Sequence, residues 1–331
     1  MDRNWLRKAL KAREAMDAAV RSFFQGRGFT EISTPLATPF PNLDPNIRPL
    51  PVDIRDPAGR PARFWLHTSP EPSMKRLLAE GSGNIFQICR VFRDEEMSAQ
   101  HRSEFTMLEW YMVDADYREA IRDTMDLVRS ACRAVRGEEI IRWAGASFDL
   151  APPWEVLTLS EAFRRYAGVD SFGRGDLADA LESLGYRCAQ SDRHEDLFFR
   201  LYLEKVEPEL GRVRPTVVTD YPDFLGTMAR PKADTPSLLE RFEVFIGGVE
   251  LANGYSELTD GDILRTRLEK VAKDLGREGV EGLAVDEDLL DAVSRMPDCT
   301  GVSLGMDRLA MLILGAEDIG QVVYPFTGGA T

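Results

Sequence analysis

The sequence predicts an α+β fold in which an antiparallel β-sheet is flanked by helices. Several short segments alternate apolar and polar residues with period two, as half-buried strands do. Longer segments repeat apolar residues every three or four positions, as amphipathic helices do. Hairpins and long helical stretches follow one another without the regular strand-helix-strand rhythm of a doubly wound sheet, which favours the α+β class.

The N-terminal half combines one long helix with short strands. An apolar stripe through residues 6–24 predicts the helix, which Gly26 and Gly28 end. Residues 38–62 contain seven prolines and predict an irregular loop or an extended edge. The other predicted elements of this half are strands at 29–32, 64–67, 85–92 and 105–112, with the last two antiparallel, and helices at 72–79 and 118–136.

The C-terminal half contains a long polar and apolar segment, residues 158–210, that looks helical. Asn253-Gly254 marks a tight turn or a bulge. We predict one domain over residues 1–331, with residues 158–210 as a helical insertion. The candidate N-caps in the insertion are Ser160, Asp176 and Asp192. The other predicted elements are strands at 216–221 and 241–249 and helices at 262–275, 286–294 and 306–314.

Composition excludes several classes of protein. The 55 acids outweigh the 41 bases by a net charge of −14, which opposes broad contact with a polyanion such as tRNA. The four cysteines show no CxxC spacing and fit a reducing compartment. No secretory leader and no run of about 18 apolar residues is present, so we expect a cytoplasmic protein without a membrane span.

Three acids in the segment 241–260 need a positive partner. Glu243, Glu250 and Glu257 are seven residues apart in a β-prone stretch with apolar neighbours such as Phe242 and Phe245. Carboxylates are costly to bury unless a metal, an ammonium group or a guanidinium meets them. Mg²⁺ with a nucleotide prefers one or two carboxylates plus phosphate oxygens. The alternative, three exposed acids on an edge strand, is weakened by those apolar neighbours.

Two arginines are candidates for anion binding. Arg93 begins the charged hairpin tip 93–104, and Phe105 ends it, so a guanidinium could clamp a phosphate while an aromatic ring stacks on a purine. Arg308 follows Gly305 in the first turn of a predicted helix, where the helix dipole favours anions. The alternatives are a solvated surface hairpin and an ordinary glycine turn.

Motifs in this order resemble those of the class II aminoacyl-tRNA synthetases. Pro35 after the long helix, FRDEE with HRSEF, and GVSLGMDRL resemble motifs 1, 2 and 3. TSPEPSMKRLL, FTMLEWY and GGVELANGYSELTD resemble the lysyl branch. Since no N-terminal OB-fold anticodon domain fits ahead of motif 1, the chain is similar to the truncated elongation factor P–(R)-β-lysine ligases. The resemblance implies the class II catalytic core.

The resemblance also implies an activity. A ligase of this family uses ATP and Mg²⁺ to activate (R)-β-lysine or lysine as an aminoacyl-adenylate. It then transfers the acyl group to a lysine side chain of elongation factor P. The family pattern further implies a homodimer formed through motif 1. The partners expected are therefore elongation factor P and a second copy of the chain, with tRNA and membranes not expected.

The resemblance assigns roles to individual residues. Arg93 and Arg308 are the implied catalytic residues, at the α-phosphate with the substrate carboxylate and at the γ-phosphate. Glu257 and Tyr111 receive the distal ammonium. The implied Mg²⁺ ligands are Glu243 and Glu250. Further implied ATP-binding residues are Asp94, Glu95, His101, Phe105, Glu250, Leu251 and Gly305. Further implied substrate-binding residues are Ser69, Pro70, Glu71, Glu109, Asn253 and Ser303.

Four positions depart from the family pattern. Arg102 and Ser103 replace an Asn and a Pro, so an ATP contact of that Asn does not carry over. Gln100 stands where the synthetases usually have Arg. Ser303 stands where the ligases often have Ala and the synthetases Gly, and a larger side chain there favours a β-amino over an α-amino group.

Three rivals stay open. One is a tRNA-charging enzyme without an anticodon domain, and another is a non-catalytic lysine-binding paralog. The third is an amine-ligating relative of asparagine synthetase. Tyr111 and Glu257 argue against it, because they suit a cationic substrate better.

Overall fold

The computed structural model describes residues 3–95, 97–226 and 228–323, which contain an eight-stranded sheet with helices on both faces. The α-helices are α1 (Arg3–Gln25), α2 (Glu71–Ala79), α3 (Tyr117–Arg136), α4 (Leu159–Ala167), α5 (Arg174–Ser183), α6 (His194–Leu201), α7 (Gly261–Arg277), α8 (Glu287–Arg295) and α9 (Met306–Leu314). The strands are β1 (Thr30–Glu31), β2 (Ala37–Thr38), β3 (Leu50–Arg55), β4 (Pro61–Leu66), β5 (Ile85–Phe92), β6 (Glu104–Val113), β7 (Ile140–Trp143), β8 (Ala146–Asp149), β9 (Glu155–Thr158), β10 (Thr216–Pro222), β11 (Leu238–Ile246), β12 (Val249–Ser256) and β13 (Cys299–Gly305).

The large sheet has the strand order β1-β5-β6-β13-β12-β11-β10-β9. The pairs from β5 to β10 are all antiparallel, whereas β1 pairs with β5 and β9 pairs with β10 in parallel. The predicted α+β class with an antiparallel sheet and flanking helices is confirmed. The parallel strand at each edge was not predicted, because the short segments β1 and β9 carry no sequence signal of direction.

Side-chain alternation gives the sheet two different faces. In β6, Leu108, Trp110 and Met112 point into the apolar cluster that α1, α3 and α9 form on one face. Glu109 and Tyr111 therefore point to the opposite face. Helix α3 is fixed by a capping box at Asp116. Helix α9 is buried on nearly every side, which suits its apolar sequence.

Two helical groups stand over the second face and leave a cavity between them. Helices α2, α7 and α8 share an apolar cluster that includes Met74, Leu264 and Leu290. Helices α4, α5 and α6 pack on Val218 and Phe245 of the sheet. No helix within the described ranges is both long and apolar enough to span a membrane.

The prediction of a turn or a bulge at Asn253-Gly254 is wrong, since the irregularity in the pairing of β11 with β12 lies at Leu251. Both residues lie inside β12, and the chain reverses at Gly247-Gly248, where both φ angles are positive. Gly254 is needed for a different reason. A Cβ there would lie 2.7 Å from the Phe242 ring and 2.9 Å from the Gly301 carbonyl oxygen, so the glycine permits close strand packing.

The predicted N-caps of the 158–210 segment are also wrong. The hydroxyl of Thr158 accepts a bond from the Glu161 backbone and their capping box begins α4, so Ser160 lies inside the helix. Asp176 lies in the first turn of α5, and Asp192 precedes the cap of α6. The observed caps of α5 and α6 are Gly173 and Arg193.

Two further segments extend the predicted elements. Residues 38–62 contain β3, which forms the edge of a small sheet with the order β2-β4-β3, so the extended-edge alternative fits. The hairpin β7–β8 and strand β9 were not predicted.

Residues 158–210 contain α4 to α6, a π-helical turn at Tyr202–Val206 and a 3-10 turn at Glu207–Glu209. Whether this segment is an insertion in a single domain stays a prediction.

Candidate active site

The predicted site residues gather on the sheet face that points away from α1, α3 and α9. They project from β6, β12, β13 and β11, and a cavity of about 540 Å³ lies over them. Predicted residues that line this cavity are Ser69, Glu71, Arg93, His101, Glu109, Tyr111, Glu243, Glu250, Asn253, Glu257 and Ser303. A smaller cavity shares Arg93 and Asn253 and adds Phe105, Leu251, Gly305 and Arg308.

Glu257 ends the cavity as a fully buried carboxylate. The Lys75 ammonium lies 2.7 Å from Glu257 Oε2 and 2.6 Å from Glu71 Oε1. The Lys75 ammonium thus holds Oε2, whereas Oε1 of Glu257 has no hydrogen-bond partner among the residues that the structure describes. Burial, offset in part by Lys75, raises the pKa of Glu257 to about 8. A further cationic donor would therefore be stabilised strongly here.

Glu109 is a second buried acid in the same cavity. The Ser69 hydroxyl donates to Glu109 Oε2 at 2.6 Å, and the Tyr111 hydroxyl donates to Oε1 at 2.8 Å. Burial and the nearby Glu71 raise the pKa of Glu109 to about 8 despite these bonds. Because the Tyr111 hydroxyl donates its hydrogen to Glu109, its oxygen can accept a hydrogen bond from an ammonium group.

Gly301 leaves the space in front of these acids open. It pairs with Tyr111 on β6 and with Tyr255 on β12. A Cβ at Gly301 would overlap Glu257 Oε1 and lie 2.5 Å from a Tyr111 ring carbon. Tyr255 donates to Glu71 Oε1 at 2.7 Å and so orients the acid that also meets Lys75. The result is a narrow, acid-lined slot between the two tyrosines.

Arg93 and Phe105 stand at the other end of the cavity. The Arg93 guanidinium carbon lies 5.1 Å from the centroid of the Phe105 ring, which is a cation–π distance. Arg93 follows the end of β5, and Phe105 pairs with Val91 on that strand. One face of the ring is therefore taken by the guanidinium, and the other face is the one that a purine base could cover.

Arg308 joins the hairpin tip to β12. Its Nη1 donates to the Glu250 carbonyl oxygen at 2.8 Å and lies 3.6 Å from Glu250 Oε2. Its Nη2 contacts His101 Nε2, while His101 Nδ1 meets the Ser98 hydroxyl at 2.7 Å. Burial and the Arg308 charge lower the pKa of His101 to about 4. A neutral His101 and a cationic Arg308 thus form a positive rim suited to phosphate.

Glu243 and Glu250 are neighbours on β11 and β12. Arg241 donates to Glu243 Oε1 at 2.6 Å, and Tyr202 donates to its Oε2 at 3.4 Å. Glu207 faces the same acids, and burial together with Glu250 and Glu243 raises its pKa to about 7. A divalent cation would relieve this repulsion. No three His, Cys, Asp or Glu side chains among the described residues suffice to hold a metal alone, so phosphate ligands are needed.

Three predicted residues line neither cavity, and a fourth, Leu251, lines only the smaller one. Asp94 and Glu95 face Arg48 at 3.9 and 3.6 Å, and Glu95 is largely exposed. The Leu251 side chain belongs to the apolar cluster, so a ligand would meet mainly its backbone. Pro70 caps α2 beside Ser69 rather than lining the slot. The ligand roles of Asp94, Glu95, Leu251 and Pro70 stay predictions.

Arg102, a departure from the family pattern, connects the hairpin tip to the C-terminal part of the fold. Its guanidinium donates to the His101 carbonyl oxygen and to Asp318 Oδ1, both at 2.7 Å. A backbone bond from Ile319 to the Ala99 carbonyl oxygen, 2.8 Å long, lies beside it. The Ser303 hydroxyl lies 3.5 Å from the Asn253 carbonyl oxygen.

Sequence reasoning missed several residues of the site, among them Lys75, Tyr255 and Arg241, and also Tyr202 and Glu207 beside Glu243. Lys75 follows Glu71 by four positions and Met74 by one, on the face of α2 that its apolar residues bury. That helical spacing was the available signal. Tyr255 alternates with Asn253 in β12 and with Glu257 directly after it, so strand periodicity could have found it. Arg241 stands two residues before Glu243 on the same strand face.

Comparison with known proteins agrees with this geometry. The family model described as tRNA synthetases class II (D, K and N) matches residues 1–327. An elongation factor P–(R)-β-lysine ligase homolog of Aquifex aeolicus (strain VF5) is 40% identical over 306 residues, 91% of this chain and 93% of the relative. The ligases of Pectobacterium atrosepticum (37%; 95% and 93%) and Mannheimia succiniciproducens (35%; 96% and 94%) are also similar over nearly their full lengths.

The sheet is that of a class II synthetase core. The chain belongs to the class II tRNA synthetases (D, K and N) and, within them, to the elongation factor P–(R)-β-lysine ligase family.

Proposed function

We propose that the protein is an ATP-dependent ligase that activates lysine or (R)-β-lysine as an aminoacyl-adenylate. It then passes the acyl group to a lysine side chain of elongation factor P. One observation carries the proposal. Glu257 is fully buried at one end of the large cavity, and its Oε1 has no hydrogen-bond partner among the described residues. Arg93 lines the same cavity and also, with Arg308, the smaller cavity. A distal ammonium would supply the missing donor.

The substrate carboxylate points toward Arg93 when its distal ammonium meets Glu257. In the first step this carboxylate attacks the α-phosphorus, and pyrophosphate leaves. Arg93 binds the oxygens that carry the developing charge, and Arg308 holds the leaving phosphates. Glu243 and Glu250 fit a Mg²⁺ ion that would supply further positive charge at the phosphates. Both arginines keep reactants in line, so proximity and charge stabilisation supply the rate acceleration.

In the second step the acceptor amine attacks the acyl carbon and AMP leaves. No covalent intermediate with the chain is required. The acidic net charge of −14 supports a protein acceptor over tRNA, because a tRNA contact surface needs clustered Lys and Arg. The relatives' names support elongation factor P as that protein.

Lysine-dependent ATP–pyrophosphate exchange tests the first step. We expect exchange with α-lysine or (R)-β-lysine and none with leucine. The absence of exchange with every lysine isomer would favour a non-catalytic binding protein. The same assay with both isomers ranks them as substrates.

Transfer of labelled amino acid tests the second step. The enzyme is incubated with ATP and either elongation factor P or total tRNA. We expect label in the protein fraction. Label only in the tRNA fraction would overturn the proposed acceptor and leave the activation step standing.

We also propose a homodimer in the cytoplasm. The motif-1 resemblance of α1 and the following strand supports a two-fold interface. Light scattering is expected to give twice the mass of 37.2 kDa. A monomer at micromolar concentration would contradict this.

A further inference from the structure

Lys75 lies behind the acids that line the cavity. Its side chain on α2 is 0% exposed, and its ammonium touches Glu71 Oε1 and Glu257 Oε2. The thioether sulfur of Met228 lies 3.2 Å away, and the Tyr255 ring centroid lies 5.9 Å away. A buried ammonium is expensive unless its surroundings are negative, so this position demands an explanation.

The acids around Lys75 outnumber it. Glu71, Glu109 and Glu257 face one cavity and carry three negative charges when ionised, against the one positive charge of Lys75. The ionised cluster therefore lacks two positive charges. Lysine and β-lysine each bring two ammonium groups, and their carboxylate goes to the arginine end. The other titratable groups facing this cluster include Tyr111, Tyr255, Cys89 and Cys299, whose raised pKa values keep them neutral, and Asp44 lies near Tyr255.

We infer that Lys75 is a positioning and specificity-determining residue for the amino acid. Its ammonium bridges Glu71 and Glu257 and holds both carboxylates in place. When all three acids are ionised, the two positive charges that the cluster lacks match the two ammonium groups of the substrate. The inference rests on the proposed function and deepens it. Lys75 contacts Oε2 of Glu257, so Oε1, which has no hydrogen-bond partner among the described residues, stays available to the substrate.

A purely structural role makes a different prediction. Removing one partner of a buried ion pair is destabilising in either case, so a loss of stability in Lys75→Met does not separate the two roles. If Lys75 only stabilises the fold, Lys75→Met leaves the protonation of Glu257, and hence the pH profile of lysine use, unchanged. If Lys75 favours the ionised form of Glu257, the loss of this cation raises the pKa of Glu257 further.

The test is lysine-dependent ATP–pyrophosphate exchange between about pH 6 and pH 9, at saturating ATP, for wild type, Lys75→Met and Lys75→Arg. In Lys75→Met we expect KM for lysine to rise at least about tenfold near pH 7.5, with KM for ATP changed less than about twofold. The acid limb of kcat/KM for lysine should move up by about one pH unit or more. Lys75→Arg keeps the charge and should keep the wild-type limb.

A charge-compensating variant keeps the test valid where Lys75→Met fails to fold. Lys75→Met with Glu71→Gln removes both members of one ion pair, which is less costly than removing one. It leaves Glu109 and Glu257, and thus the same deficit of two charges. Its acid limb should return toward wild type although KM for lysine stays raised. Lys270→Met, at an exposed ion pair with Glu195, is the matched control and should behave as wild type.

The outcomes separate this inference from the proposed function. Wild-type enzyme without exchange would remove the proposed function. An active wild type with an unshifted acid limb in Lys75→Met, or equal rises in both KM values, would overturn only the role of Lys75. If the acid limb of the double variant is shifted as far as that of Lys75→Met, the count of charges around Lys75 is wrong.

Discussion

At the scale of single residues, the site is organised around carboxylates that the fold buries at a cost. Glu257 has one cation at its Oε2 and no hydrogen-bond partner among the described residues at its Oε1. Glu109, by contrast, has two hydroxyl donors. Glu109 therefore serves to hold Tyr111, whereas Glu257 keeps its hydrogen-bonding capacity for a ligand. This difference predicts different consequences for neutral substitutions.

Replacing Glu257 by Gln should weaken amino-acid binding far more than ATP binding. The amide keeps the shape but loses a charge-assisted hydrogen bond, worth about 2–3 kcal/mol or roughly 30- to 150-fold in KM for lysine. KM for ATP should change less than about twofold. Initial rates of exchange with either substrate varied give both constants. Glu287→Gln, at an exposed ion pair, is the control, and equal losses for both substrates would refute the assigned role.

Ser303 should influence the choice between amino-acid isomers. It lines the cavity from β13, beside Asn253. Ser303→Gly frees the space of a small side chain, and such a change is worth about 1–3 kcal/mol of discrimination. We expect kcat/KM for α-lysine to rise about tenfold relative to (R)-β-lysine. Because the two kcat/KM values are measured on the same variant, their ratio needs no further control. An unchanged ratio would mean that another residue discriminates between the two isomers.

At the scale of elements, period-two alternation was readable from the sequence and positions most of the site. Strands β5 and β6 and helix α9 have nearly the predicted bounds, because alternation, apolar runs and Gly305 mark them clearly. Strands β6, β13 and β12 are adjacent in the sheet, so Glu109, Ser303 and Asn253, one on each strand, share one face. The antiparallel order therefore brought together residues far apart in sequence.

The rest could not be read from the sequence because tertiary partners decide it. Lys75 looks like an exposed helical lysine until Glu257 is known to pack against α2. The pairing of Glu243 with Arg241 competes with a metal role that the acid spacing alone suggests. Asn253-Gly254 has the composition of a turn, and only the Phe242 ring explains its place inside a strand.

The hairpin tip between β5 and β6 should depend on its connection to the C-terminal segment. Arg102 bonds Asp318, and both side chains are partly exposed, so the pair is worth about 0.2–1 kcal/mol. The tip carries His101, which contacts Arg308. Arg102→Ala is therefore expected to raise KM for ATP about two- to fivefold and to leave KM for lysine nearly unchanged.

Exchange kinetics with ATP varied measures this effect. Asp318→Asn should reproduce it, and Arg164→Ala, which breaks an exposed pair with Asp170, should not. A larger effect on lysine than on ATP would show that Arg102 acts on the slot instead of the nucleotide end.

At the scale of the whole molecule, this acidic chain buries several of its carboxyl groups. Burial raises the pKa of Glu109 and Glu257 to about 8, and that of Glu207 to about 7. The folded protein thus holds protons on these groups that the unfolded chain releases near pH 4.5. The stability this contributes is fully present below the unfolded pKa and is lost as pH rises through the folded pKa.

The melting temperature of the unliganded protein should therefore fall between about pH 7 and pH 8.5, above the range in which histidines titrate in the unfolded chain. Glu109→Gln and Glu257→Gln should each make this fall shallower, because each removes one group that must ionise inside. Glu287→Gln, whose exposed carboxyl has a lowered pKa, should leave the slope unchanged. Differential scanning fluorimetry at constant ionic strength measures the slopes. A wild-type melting temperature that stays level over this range would mean that Lys75 already neutralises the cluster in the empty site, and that binding a dication then requires no proton release.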